Sequence, residues 1–95
     1  MRKGELSSTT IDRDWPHQVT LPASRCTGEQ HVRIWAFCAD LSLAQRGHAY
    51  VDSGGYHNVY CFAVFEHAEA FAEEFGGRML APKDRPRWPG RKRRG

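Results

Sequence analysis

Ninety-five residues, 40% of them hydrophobic and 26% charged, with nine Gly and five Pro, suffice for one small domain and exclude a multidomain assembly. No apolar run approaches the roughly 20 residues that a membrane helix needs, the longest lying at 35–39 and 59–65, so no such span is expected. The formal net charge of +3 conceals a division. Residues 1–77 hold six Lys or Arg against ten acids, a net −4, whereas residues 78–95 hold eight against Asp84 alone, a net +7.

At the start, Arg2 and Lys3 are followed by no apolar stretch of the kind a secretory leader carries, which points to an unsecreted, cytoplasmic protein. Residues 1–14 read as a flexible lead, 15–81 as the folded domain and 82–95 as a basic tail. His17 to Leu21 alternates, with Val19 and Leu21 on one face and Gln18 and Thr20 on the other, and prolines bracket it: a first strand. Thr27-Gly-Glu-Gln30 fits a capping box, in which a hydroxyl and an amide side chain satisfy free N–H groups at a helix start. In the helix that follows, Ile34, Phe37, Cys38 and Leu41 make the apolar stripe, widened by Val32, Trp35 and Ala39.

His48 to Asp52 then alternates into a hairpin whose turn is expected at Ser53-Gly54-Gly55, where glycine tolerates positive φ. Asn58 to Phe65 is the most apolar strand and so belongs in the middle of the sheet. Glu66 to Phe75 places Ala68, Phe71, Ala72 and Phe75 on one helical face, and Gly76-Gly77 ends it. Arg78 to Ala81 is a short last strand stopped by Pro82.

The order β-α-β-β-α-β is that of the α+β ferredoxin-like sandwich: a four-stranded antiparallel sheet with two helices on one face. Its other face would be open. Small Cys61 and Ala63, with Phe65, suit packing beneath helices, as do Ala49 and Val51, which leaves Tyr50, Tyr60, Phe62 and Val64 for the open side. An exposed patch of that size implies a partner, another protein or a second copy.

From Pro82 the tail has three prolines, two glycines and only Trp88 to bury, so it is expected to be disordered when free. Lys83, Arg85, Arg87, Arg91, Lys92, Arg93 and Arg94 suit a polyanion such as RNA or DNA, and Trp88 could stack on a base.

Asn58-Val-Tyr-Cys-Phe-Ala-Val-Phe65 resembles the third-strand octamer of the RNA-recognition-motif family, with aromatic residues at its third, fifth and eighth positions, and residues 66–77 are similar to that family's second helix. The resemblance implies base stacking by Tyr60 and Phe62. It departs from the family where the octamer opens Asn58-Val59 instead of with a basic residue and glycine, and where the first strand lacks an aromatic. A longer likeness, carried by Arg13-Asp-Trp-Pro-His-Gln-Val19, Ala36-Phe-Cys38, Leu41-Ser-Leu43, Arg46-Gly-His48 and Phe75-Gly-Gly77, is to short alphaproteobacterial proteins. It implies a compact bacterial domain and no particular chemistry.

Three cysteines, with no C-x-x-C, and five histidines, with no H-E-x-x-H, point to neither a disulfide framework nor a metal site, and no cofactor motif is present. Cys38 and Cys61 read as buried thiols. The one candidate for chemistry is the loop Arg25-Cys-Thr-Gly28, where a helix start beside Arg25 could receive an anion and lower the Cys26 pKa. A passive, capped helix start accounts for the same residues. The expectation is therefore a non-enzymatic binding module: protein or self-association through the sheet face and nucleic-acid contact through the tail, acting as an inhibitor or adaptor of a nucleic-acid machine. Direct RNA binding by the sheet is the second reading, and an anion-binding hydrolase at 22–28 the third.

Overall fold

A computed structural model describes residues 7–86. Its elements are α1 (Ser8–Asp14), β1 (His17–Pro22), α2 (Glu29–Phe37), β2 (His48–Asp52), β3 (Gly55–Phe62), α3 (Phe65–Phe75) and β4 (Arg78–Leu80), with single 3₁₀ turns at Ala23–Arg25 and Pro82–Asp84. The strands form one antiparallel sheet in the order β2-β3-β1-β4. β3 is internal, as its apolar sequence requires.

One side of the sheet carries α2 and α3. Val19 and Leu21 of β1 and Phe62 of β3 meet Ile34 and Cys38 at the end of α2 and Ala68, Phe71 and Phe75 of α3. Phe71 is the centre: its ring lies 5.0 Å from Tyr60, 5.3 Å from Phe62 and 5.0 Å from Phe75. The four rings meet at tilted angles, the arrangement that the aromatic quadrupole favours over a face-to-face stack.

The other side is not open. Ile11 of α1 and Trp15 just beyond it pack against Ala44, Tyr50, Val59, Cys61 and Leu80. α1 replaces the flexible segment expected over 8–14; the rest of that expectation, residues 1–6, lies outside the described residues. The Ser7 hydroxyl accepts the Thr10 N–H at 3.1 Å and starts the helix, and Ile11 is its single buried side chain. Seven residues with one apolar anchor carry too weak a helical period to be read locally.

The faces of β3 are the reverse of the expectation. Tyr60 and Phe62 lie under α3, Cys61 lies opposite with Tyr50, and Val64 and Phe65 lie past the strand at the start of α3. The turn is the cause. It uses two residues, Ser53 and Gly54, so Asp52 pairs with Gly55 and Tyr50 with His57. That register puts Ala49 and Val51 on the same side as Tyr60, and Tyr50 on the other; a three-residue turn would have exchanged the sides, because a one-residue slip inverts a strand. Volume also favours the observed choice: the small Ala68 and Ala72 of α3 leave room for rings rising from the sheet.

Two further expectations change. Val32 and Trp35, taken as widening the α2 stripe, are 65% and 46% exposed, and Ala39 is exposed as well. The helix is nine residues long and touches the sheet along one narrow line, so only Ile34 within it is fully buried. The N-cap is Gly28 (φ +61°) with no side-chain cap; the Gln30 side-chain Oε1 instead accepts from Arg33 Nη1 at 3.0 Å, so the Thr27 capping box does not form.

Between α2 and β2 the chain pairs once with the far end of β3, at Leu43 and Phe62, and resumes with His48 opposite Val59. Two extra residues on this strand make a bulge. A Cβ on Gly47 would sit 2.2 Å from the Val59 carbonyl oxygen, so the bulge closes tightly only around glycine.

Candidate functional site

The loop considered for anion binding is built for a different task. The Arg25 guanidinium donates to the Phe75 carbonyl at 2.7 Å, satisfying an orphan acceptor at the C-terminus of α3. Gly76 continues in the left-handed region at φ +72°, and a Cβ there would meet Arg25 Nη2 at 2.9 Å. Cys26 is buried and its thiol donates to the Pro22 carbonyl at 3.4 Å. Thr27 and Gly28 are exposed at the helix start. Arg25 thus faces a carbonyl and Cys26 faces the core, so the two do not converge on a ligand.

Of the expected sheet-face residues, Phe62 is 0% exposed and Tyr50 1%. The Tyr60 hydroxyl is pushed to a higher pKa by burial and by the neighbouring Cys26 thiol. Tyr50 and Phe62 are closed to a base, and the half-buried Tyr60 packs its ring on Phe71. Val64 is the backbone cap of α3, accepting from the His67 and Ala68 N–H groups. The expected surface of Tyr50, Tyr60, Phe62 and Val64 is therefore overturned, because Tyr50 and the other two rings lie on opposite, covered faces.

Of the tail residues, Lys83 is exposed in the 3₁₀ turn after β4, and Arg85 is half-buried. Arg87, Trp88, Arg91, Lys92, Arg93 and Arg94 lie outside the described residues. The expectation that the tail is unstructured from Pro82 does not hold through Arg85. Its Nη1 donates to Asp12 Oδ1 and to Gln18 Oε1, both at 3.0 Å, and its Nη2 to Asp12 Oδ2 at 3.1 Å. The Gln18 amide donates to Asp12 Oδ1 at 2.9 Å, and His48 Nε2 lies 3.0 Å from the same oxygen. Four side chains from α1, β1, the start of β2 and the segment after β4 meet in this knot. Burial pushes the Asp12 carboxyl up, but the hydrogen bonds from Arg85 and Gln18 and the Arg85 charge outweigh it and hold the carboxyl at about 2. Burial, and then the charge of Arg85, lower the pKa of His48.

Two other polar clusters went unseen in the sequence. Ser42 Oγ accepts the N–H groups of Ala63 and Val64 at 3.1 and 3.0 Å and lies 2.9 Å from His67 Nδ1, while the Ser42 N–H donates to that nitrogen at 3.0 Å. A serine beside a histidine suggests nucleophilic catalysis, but the two N–H donors that could steady an oxyanion are aimed at the hydroxyl itself. This is a clasp at the start of α3. In the hairpin, Asp52 Oδ1 accepts the Gly54 N–H at 2.8 Å and lies 2.9 Å from His57 Nε2, whose ring stacks on Tyr50 at 4.8 Å. The hydroxyls of Tyr50 and Thr20 share a hydrogen bond of 2.9 Å beneath it.

A groove of about 670 Å³ runs beside the bulge, lined on the helix side of the sheet by Trp35, Leu43, Ala49, Asn58 and Tyr60. Ser8, Arg46 and His48 add polar groups to its lining. No described helix is long and apolar enough to cross a membrane. Comparison with protein-family models, curated proteins and solved structures finds no match.

Proposed function

We propose that the chain is a non-enzymatic, cytoplasmic binding module that contacts nucleic acid through its basic C-terminal segment, carried on a ferredoxin-like body. The observation that carries this reading is the division of charge. Residues 7–86 hold seven Lys or Arg against ten acids, a net −3, whereas residues 87–95 hold five and no acid. An acidic body repels phosphate, so affinity for a polyanion must come from the terminal segment.

The arrangement of the body supports the same reading. Arg85, at the root of that segment, is engaged by Asp12 and Gln18 and acts as its anchor, leaving Lys83 and residues 87–94 as the contact set. Arg25, Cys26, Ser42 and His67 are each engaged in holding elements together. The strand order β2-β3-β1-β4 with α2 and α3 on one face supports the ferredoxin-like assignment, with α1 as an addition on the reverse. The likeness of residues 58–65 to an RNA-recognition strand supports the architecture and not base stacking, since Phe62 is buried and Tyr60 faces Phe71 of α3.

The test is fluorescence anisotropy with a labelled single-stranded RNA and a DNA duplex across a salt series. If all five cations of 87–95 contact phosphate, the logarithm of affinity for RNA falls against log salt with a slope of about −3.5. The full-length variant Arg91→Ala, Lys92→Ala, Arg93→Ala, Arg94→Ala should lose most of the affinity and flatten the slope to about −0.7. Unchanged binding by that variant refutes the reading.

A further inference from the structure

The free edge of β2 has no described residue hydrogen-bonded to it, and its sequence is complementary to itself. The turn closes on Asp52 and Gly55, so in an antiparallel ladder the alternate residues His48, Tyr50 and Asp52 direct their main-chain groups toward β3. Ala49 and Val51 therefore direct their N–H and C=O groups outward. We propose that this edge pairs with the same edge of a second copy, antiparallel and in register about Tyr50, to make a continuous eight-stranded sheet.

In that register Ala49 of one copy faces Val51 of the other, twice, and each pair exchanges two hydrogen bonds, so all four outward N–H groups and all four carbonyls are satisfied. The side chains of both pairs lie on the helix side, the side on which Trp35 and Tyr56 are exposed, and they extend that apolar surface across the two-fold axis. His48 faces Asp52 of the second copy, and no like charges are opposed. A slip of one residue would oppose outward to inward main-chain groups, and a slip of two in either direction would set Ala49 or Val51 against itself, so both lose this match.

The composition of the edge fits the same occupant. Exposed edges are ordinarily guarded by Lys, Pro or an inward charge, and His-Ala-Tyr-Val-Asp contains no Lys or Pro, while its one carboxylate is drawn into the turn by Gly54 and His57. The opposite edge differs: β4 is three residues long, begins with Arg78 and is followed by Pro82. Closed two-fold pairing consumes the β2 edge and leaves only the guarded one.

Light scattering on the full chain without nucleic acid, from roughly 10 µM to 1 mM, tests the proposal over the range in which a small interface dissociates. The mass should rise from 10.8 kDa toward twice that value. Ala49→Pro removes one outward N–H and leaves the β3 ladder intact; it should hold the chain at monomer mass with an unchanged far-ultraviolet circular dichroism spectrum. Val51→Lys and Val51→Glu each place like charges diagonally across the axis and should each be monomeric, while their equimolar mixture should recover the dimer. A wild-type chain that stays monomeric at 1 mM, or a dimer indifferent to all three substitutions, overturns the proposal, and neither result bears on nucleic-acid binding by residues 87–95.

Discussion

Asp12 and Arg85, 73 residues apart, are joined by two parallel hydrogen bonds of 3.0 and 3.1 Å. The pair ties α1 to the segment after β4 over Gln18 of the internal strand β1, and so fixes both ends of the described chain to one face. A bidentate carboxylate–guanidinium pair is the strong form of this contact, and Gln18 and His48 engage the same carboxylate.

Asp12→Ala leaves Arg85 with Gln18 Oε1 and the buried Gln18 amide with the Trp15 carbonyl, removing the charged acceptor from both. We expect a loss of about 2–3 kcal/mol, read from urea unfolding, because removing one partner of a half-buried pair strands the other. A loss below about 0.5 kcal/mol would mean that α1 is not held by the knot.

Acid should act on this knot in two stages. Asp12 is held at about 2 against an ordinary 3.8, so its contribution is complete above about pH 4 and is lost as the pH falls toward 2. Discounted for solvent screening, it amounts to about 1 kcal/mol. His48 is also lowered, so the unfolded chain takes up its proton first, and stability declines as the pH drops below the ordinary value of 6.5. Thermal melts from pH 8 to pH 3 check both stages, and His48→Gln should flatten only the milder one.

Phe71→Ala opens a void among Tyr60, Phe62, Phe75 and Phe37 and should cost about 3–5 kcal/mol, enough to unfold a domain of this size or nearly so. Phe65→Ala, a half-exposed ring set edge-on to His17, should cost under about 1 kcal/mol. Comparable losses at the two sites would contradict the face assignment of α3.

The buried Tyr50 and Thr20 hydroxyls depend on each other. Tyr50→Phe alone should cost about 1–2 kcal/mol by stranding Thr20, whereas adding Thr20→Val should recover part of that loss. The double-mutant cycle measures the coupling directly.

Native thiols should react slowly. Burial pushes Cys38 up to about 11 and Cys61 up to about 12, and Cys26 is buried as well. Ellman's reagent should titrate all three rapidly in guanidinium and at least about tenfold more slowly without it. A single fast native thiol would locate an opening, of the helix-side core for Cys26 or Cys38 and of the packing beneath α1 for Cys61.

Much of this arrangement is decided within short stretches of chain. The alternation of His17 to Leu21, the helical spacing of Ala68, Phe71, Ala72 and Phe75, the glycines after Ser53 and the Gly76 cap determine where strands, helices and turns fall, because each depends on neighbours a few bonds away. Charge segregation between body and terminal segment is equally a property of the linear chain. The side of the sheet that each ring occupies is not: it rests on whether the turn holds two residues or three, a difference of one residue that inverts a whole strand. Nor could spacing predict that Asp12 meets Arg85, or Ser42 meets His67, since those contacts form only when sheet pairing brings distant segments together. Local propensity therefore set the elements, and long-range packing chose their faces and their polar partners.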